Sequence, residues 1–173
     1  VGADRYRCAA GRGRALMSAA LASDPRGFRA ADASRNDRTA AVAFVADTRS
    51  DAALRDGLND MLPQPIELRR GGIRAAIAAQ QKAPNPRVLV VDVGGEDEPL
   101  HMLSTLSLVV EPDTCVLAIG DSSDLALYRE ITRGLGVGEY LAKPLTREMV
   151  ARFFAPLVGG RSPEAELVFG GQL

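Results

Sequence analysis

From residue 39 onward, five short apolar runs alternate with five segments whose apolar residues recur at helical spacing. Residues 39–47 (TAAVAFVAD) are apolar almost without interruption, the pattern of a strand buried on both faces. Leu54, Leu58, Met61 and Leu62 then form a helical stripe, which Pro63 and Pro65 stop. Residues 66–70 read as a short second strand whose polar residues place it at a sheet edge. After Gly71-Gly72, a helix over 73–82 puts Ile73, Ala76 and Ile77 on one face, and Pro84 and Pro86 end it. A third strand, 87–93, breaks at Gly94-Gly95. The helix over 99–110 turns Leu100, Leu103, Leu106 and Val110 inward. A fourth strand, 114–119, stops at Gly120-Asp121, and a helix over 124–135 carries Leu127, Ile131 and Leu135 on one stripe. Gly134, Gly136 and Gly138 are its stop signals. The fifth strand is 139–142. Thr146 caps the last helix, whose stripe is Val150, Phe153, Phe154 and Leu157.

Five strand–helix units joined by short loops predict a doubly wound α/β fold with a five-stranded parallel sheet. For this length the expected order is 2-1-3-4-5, the flavodoxin-like arrangement. Residues 1–38 lack a sustained apolar period and read as a disordered leader; 39–158 form the domain and 159–173 a linker. The leader carries 8 Arg against 4 Asp, whereas the rest carries 13 Lys and Arg against 18 Asp and Glu. The domain is therefore acidic, which argues against nucleic-acid binding. No apolar run approaches the roughly 18 residues of a bilayer span, and residues 1–16 lack the apolar core of a secretory signal. Either Met17 or Val1 could mark the native start. Two cysteines, Cys8 and Cys115, are too few for a disulfide framework, which suggests a reduced, cytoplasmic setting. The single histidine, His101, reads as a helix-surface position and excludes a histidine-cluster metal site.

Two strand ends carry the chemistry. The third strand finishes in Asp92, and the fifth runs through Tyr140-Leu141-Ala142 into Lys143-Pro144-Leu145. In a parallel sheet both ends meet at the carboxyl edge, where open α/β sheets place their sites.

These residues give segment 39–158 a resemblance to the CheY-like receiver domain of two-component response regulators. Asp92 resembles its phosphoacceptor, and Lys143-Pro144 its lysine followed by a typically cis proline. Tyr140 falls at its switch aromatic and Asp47 at a metal-binding acid. Two departures stand beside these matches. Where receivers carry a first acid this chain has Ala46, and where they carry Thr or Ser followed by a small residue it has Gly120 and Asp121. Losing an acid weakens a Mg²⁺ pocket, which wants several oxygen ligands. Gly120 has no hydroxyl for a phosphoryl oxygen or for a link to Tyr140. Asp121 adds repulsion, about 3 kcal/mol for two unit charges roughly 5 Å apart at an effective dielectric near 20.

The strings 88–100 (VLVVDVGGEDEPL), 116–121 (VLAIGD), 124–130 (DLALYRE) and 43–47 (AFVAD) are similar to the atypical receiver of the CpaE/TadZ pilus-assembly family. That resemblance implies a bacterial, cytoplasmic protein of the Tad (Flp) type IVb pilus machinery, recruited through partners to the inner membrane at a cell pole. It also implies a ParA/MinD-like ATPase domain after the linker; no G-x-x-x-x-G-K-[ST] motif occurs in this chain.

The leading expectation is a non-catalytic pseudo-receiver that docks protein partners or forms a homodimer, without cofactor, nucleic acid or membrane insertion. Its pocket would comprise Asp47, Asp92, Gly120, Asp121, Lys143 and Pro144, with Asp92 and Lys143 as a standing ion pair. Tyr140, Leu125, Tyr128 and Arg129 are candidates for its contact face, Tyr140 as a packing or interface residue and not a switch. The alternative is a working receiver, with Asp92 as nucleophile and Mg²⁺ on Asp47 and Asp92. A nucleotide- or flavin-binding domain on the same topology has little support, because no glycine-rich turn follows the first strand.

Overall fold

The computed structural model describes residues 38–159. Almost all of the leader, and the linker from residue 160, lie outside the described residues. Within them the five apolar runs form strands β1 (Ala41–Val45), β2 (Glu67–Arg70), β3 (Val88–Asp92), β4 (Cys115–Gly120) and β5 (Glu139–Ala142). All neighbours pair in parallel, in the order β2-β1-β3-β4-β5. Every residue of β1, β3 and β4 is buried, as unbroken apolar runs require of central strands, whereas β2 is largely exposed at its edge.

Five helical segments cover the sheet. They are α1 (Thr48–Leu58, extended by a 3₁₀ turn Asn59–Met61), α2 (Ile73–Gln80) and α3 (Pro99–Ser107). Then come α4 (Leu125–Arg129, widening into a π turn at Glu130–Gly134) and α5, which starts at Arg147–Met149 and continues through a π turn, Val150–Phe154, to Ala155–Val158. Alternation along the strands divides the core. Ala43, Val45, Val90 and Ile119 pack with Leu54 and Leu58 of α1 and with Val150 and Phe154 of α5. Phe44, Val91, Ala118 and Tyr140 pack with Ile73, Leu103 and Ile131 from α2, α3 and α4.

Several expectations shift. Met61 and Phe153, assigned to inward stripes, are 44% and 41% exposed. Met61 falls in the 3₁₀ turn, whose tighter winding rotates it off the face that Leu54 and Leu58 bury. The π turn does the same in α5: Val150 and Phe154 stay on the core side and Phe153 points out. Helix α3 ends at Ser107 and leaves Leu108 exposed. Arg38, assigned to the leader, belongs to the fold. Its guanidinium donates to the carbonyls of Asn85 and Pro86 and to Thr114 Oγ1, and pairs with Glu111 and Asp113. It thereby ties the entry of the chain to the amino edge of the sheet.

Candidate functional site

Parallel registry brings the ends of β1, β3 and β5 to one edge, and three charged side chains meet there. Lys143 Nζ lies 2.7 Å from Asp92 Oδ2 and 2.9 Å from Asp47 Oδ2. The Asp92 side chain is wholly buried. Its Oδ2 also accepts from Ala46 N at 3.1 Å, and its Oδ1 from Gly94 N at 2.8 Å. Both oxygens of the carboxylate are thus occupied by donors from three different segments. Lys143 reaches Oδ2 from the position before Pro144, and the peptide bond between those two residues is cis.

Asp47 has a second task as the N-cap of α1. Its Oδ1 accepts from Ser50 N at 2.7 Å, and its Oδ2 from the Ser50 hydroxyl at 2.9 Å. Partial burial would raise its pKa, but the hydrogen bonds from Lys143 and Ser50 outweigh that and hold it at about 2. The reverse balance applies to Lys143. Burial would lower its pKa, and the hydrogen bonds to Asp92 and Asp47 raise it above the ordinary lysine value.

The other departures from the receiver pattern cluster beside this trio. Ala46 is exposed and contributes only its backbone N–H. Asp121, expected to act as a repulsive neighbour, has a donor of its own: its Oδ2 accepts from Gly95 N at 2.9 Å. A Cβ placed on Gly94 would stand 2.9 Å from Asp121 Oδ2, 2.9 Å from Asp92 Oδ1 and 3.0 Å from Lys143 Nζ. The three groups therefore converge on space that only a glycine leaves open.

At Gly120 a Cβ would stand 2.7 Å from Tyr140 Oη, so the tyrosine ring fills the place of the absent side chain. Tyr140 is only 4% exposed, and its hydroxyl donates to Ser122 O at 2.6 Å. Burial raises the phenol's pKa, and the nearby charges of Asp121 and Asp92 add to the effect. The expected loss of a link between Tyr140 and the loop after β4 is thus corrected in part: a main-chain carbonyl replaces the missing hydroxyl. Of the proposed contact residues, Leu125 is 58% exposed, Arg129 is exposed and Tyr128 half-buried. Leu125, Tyr128, Tyr140 and Ala142 line a groove of about 310 Å³ with Ser123 and Asp124.

Sequence reasoning paired Asp92 with Lys143. It missed the second bond from Lys143 to Asp47 and the bond from Gly95 to Asp121. The Gly94-Gly95 doublet was the available signal for the latter, since Gly95 adopts a left-handed φ of 76°. Among the described residues no group of three or more acidic, histidine or cysteine side chains could hold a metal ion, and no helix is long and apolar enough to cross a membrane.

No protein-family model and no curated protein matches the chain. Solved structures do. A pilus assembly protein CpaE from Caulobacter crescentus CB15 is 33% identical, with a TM-score of 0.61, over 67% of this chain and 96% of that one. A putative CpaE2 pilus assembly protein from Sinorhizobium meliloti 1021 is 25% identical, with a TM-score of 0.59, over 69% and 97%. A response regulator from Burkholderia pseudomallei with a phosphorylated aspartic acid is 19% identical, with a TM-score of 0.51, over 79% and 78%, which shows a shared fold. With a receiver-like fold across the described residues and this identity over nearly the whole of the Caulobacter chain, the protein belongs to the family of CpaE pilus assembly proteins.

Proposed function

We propose that this domain is a non-catalytic pseudo-receiver that serves pilus assembly through protein contacts. The observation that carries the reading is the state of Asp92. An attacking carboxylate oxygen needs a clear approach, and this side chain is wholly buried, with three donors already on its two oxygens. The ammonium of Lys143 supplies positive charge between Asp47 and Asp92, the place a divalent cation would need. With a methyl group at Ala46, few oxygens remain for near-octahedral coordination, so the donor set suits a lysine better than Mg²⁺. A second anion added beside Asp92 would also face the Asp121 carboxylate.

The partners in this reading are proteins of the pilus machinery and a second copy of the chain, in the cytoplasm and at the inner-membrane pole. The face of α4 and β5 suits self-association: Leu125 projects beside an apolar groove, so two copies related by a two-fold axis can each offer an apolar knob and receive one.

The test is incubation with Mg²⁺ and acetyl phosphate, followed by intact-protein mass spectrometry of the wild-type chain and Asp92→Asn. No added phosphoryl mass is expected in either. A phosphoryl adduct on the wild type that Asp92→Asn abolishes would make the domain a working receiver.

A further inference from the structure

The end of β4 and the loop after it are held at three successive residues by groups from two other segments. Gly120 O accepts from Lys143 N at 2.7 Å, Asp121 Oδ2 from Gly95 N at 2.9 Å, and Ser122 O from Tyr140 Oη at 2.6 Å. Each contact depends on a particular residue. The ring of Tyr140 reaches Ser122 O because Gly120 has no side chain in its path; a Cβ there would lie 2.7 Å from Oη and 3.1 Å from Cε2. Asp121 is exposed, yet one oxygen of its carboxylate is held. It bonds the β3 loop, and its Oδ2 stands 2.9 Å from the vacant Cβ position of Gly94, as Lys143 Nζ stands 3.0 Å from it.

We propose that Gly120, Asp121 and Tyr140 form a built-in latch that holds residues 120–124 in one conformation. The latch has a consequence for the surface. Tyr140 lines the groove with Ser123, Asp124, Leu125 and Tyr128, so fixing the ring inward fixes the shape of that face. A partner then meets a preorganised surface, and no covalent event is needed to form it. This deepens the pseudo-receiver reading and rests on it.

The experiment is amide hydrogen exchange on the full chain, without phosphodonor, for wild type, Asp121→Ala and Tyr140→Phe. Both variants should fold, because Asp121 is exposed and phenylalanine keeps the ring. Each should speed exchange by about tenfold over residues 94–96 and 120–124, the size expected from losing one such hydrogen bond. Core amides of β1 and β3 should not change. In a third variant, Gly120→Ala, the new methyl should push the ring outward, so that Tyr140 becomes reactive to tetranitromethane. Unchanged loop exchange in Asp121→Ala or Tyr140→Phe would overturn the latch, as would acceleration spread evenly over the sheet or an unreactive Tyr140 in Gly120→Ala. Phosphoryl uptake at Asp92 in the separate donor experiment would sink the pseudo-receiver reading, whereas unchanged loop exchange would sink the latch alone.

Discussion

Replacing Lys143 by Met should destabilise the domain far more than replacing Asp92 by Asn, although both changes break the same 2.7 Å contact. The asymmetry follows from what each leaves behind. Lys143→Met strands a wholly buried carboxylate that keeps only two backbone N–H donors, from Ala46 and Gly94. Removing one partner of a buried pair costs about 3–5 kcal/mol, and the two remaining donors put this case near the lower end, about 3 kcal/mol. Asp92→Asn leaves no buried charge, and the ammonium keeps Asp47 at 2.9 Å, so the cost should be about 1 kcal/mol, from the one backbone N–H of Ala46 or Gly94 that the amide nitrogen cannot accept. The double variant removes the stranded charge as well, and should cost about 2 kcal/mol instead of the roughly 4 kcal/mol of the summed singles. Urea unfolding followed by circular dichroism reads all three. With a slope of about 1.5 kcal/mol per molar, Lys143→Met should lower the midpoint by about 2 M. A Lys143→Met loss below about 1 kcal/mol, or additive costs in the double variant, would refute the claim that the pair matters by hiding a charge.

Acid should weaken the domain through Asp47. Its folded pKa, about 2, lies below the ordinary value of 3.8, so its contribution is present above pH 3.8 and is lost as pH falls through 2. Discounted for the partial exposure of the side chain, that contribution is about 1 kcal/mol; urea midpoints measured in Asp47→Asn should lose this part of their pH dependence between pH 4 and 2, roughly, and an unaltered profile would refute the assignment. Gly57→Ala should destabilise even though alanine favours helix by about 1 kcal/mol. A Cβ at Gly57 would stand 2.6 Å from Val150 Cγ1 and 3.2 Å from Arg147 O, so α1 and α5 must separate, at a net cost of about 1–3 kcal/mol in thermal or urea unfolding. A gain in stability would show that the helix contact yields.

The sheet was legible because its signals are local. Uninterrupted apolar runs marked β1, β3 and β4 as central, the charges of β2 marked an edge, and crossover handedness leaves few orders for five parallel strands. Caps were legible for the same reason: Thr146 accepts from Met149 N as its place before the last helix suggested. What escaped depends on geometry that no spacing records. A stripe drawn at 3.6 residues per turn misplaces Phe153 because the helix widens locally. Arg38 reads as one more basic residue of a tail until the turns carrying Asn85, Glu111 and Asp113 come together around it. Asp121 reads as repulsion because the sequence does not show where the Gly95 N–H points.

Burial separates the receiver-like positions that this chain retains from those at which it departs. Asp92 and Lys143 form the part that cannot be changed singly without cost, since loss of the lysine leaves a charge inside the protein. Ala46 and Asp121 are exposed, so carrying a methyl there, or an extra carboxylate, imposes little penalty on folding. Gly120 is buried, but the ring of Tyr140 fills the space and the carbonyl of Ser122 satisfies its hydroxyl. On the pseudo-receiver reading proposed above, a fold of this kind gives up cation binding and phosphoryl reporting while its ion pair stays. On that physical ground Asp92 beside Lys143 indicates a folding requirement, and signalling chemistry must be judged from the exposed positions around them. The direct check is in the variants already named: Asp92→Asn should keep the wild-type exchange of residues 120–124, whereas Asp121→Ala should lose it at almost no cost in stability.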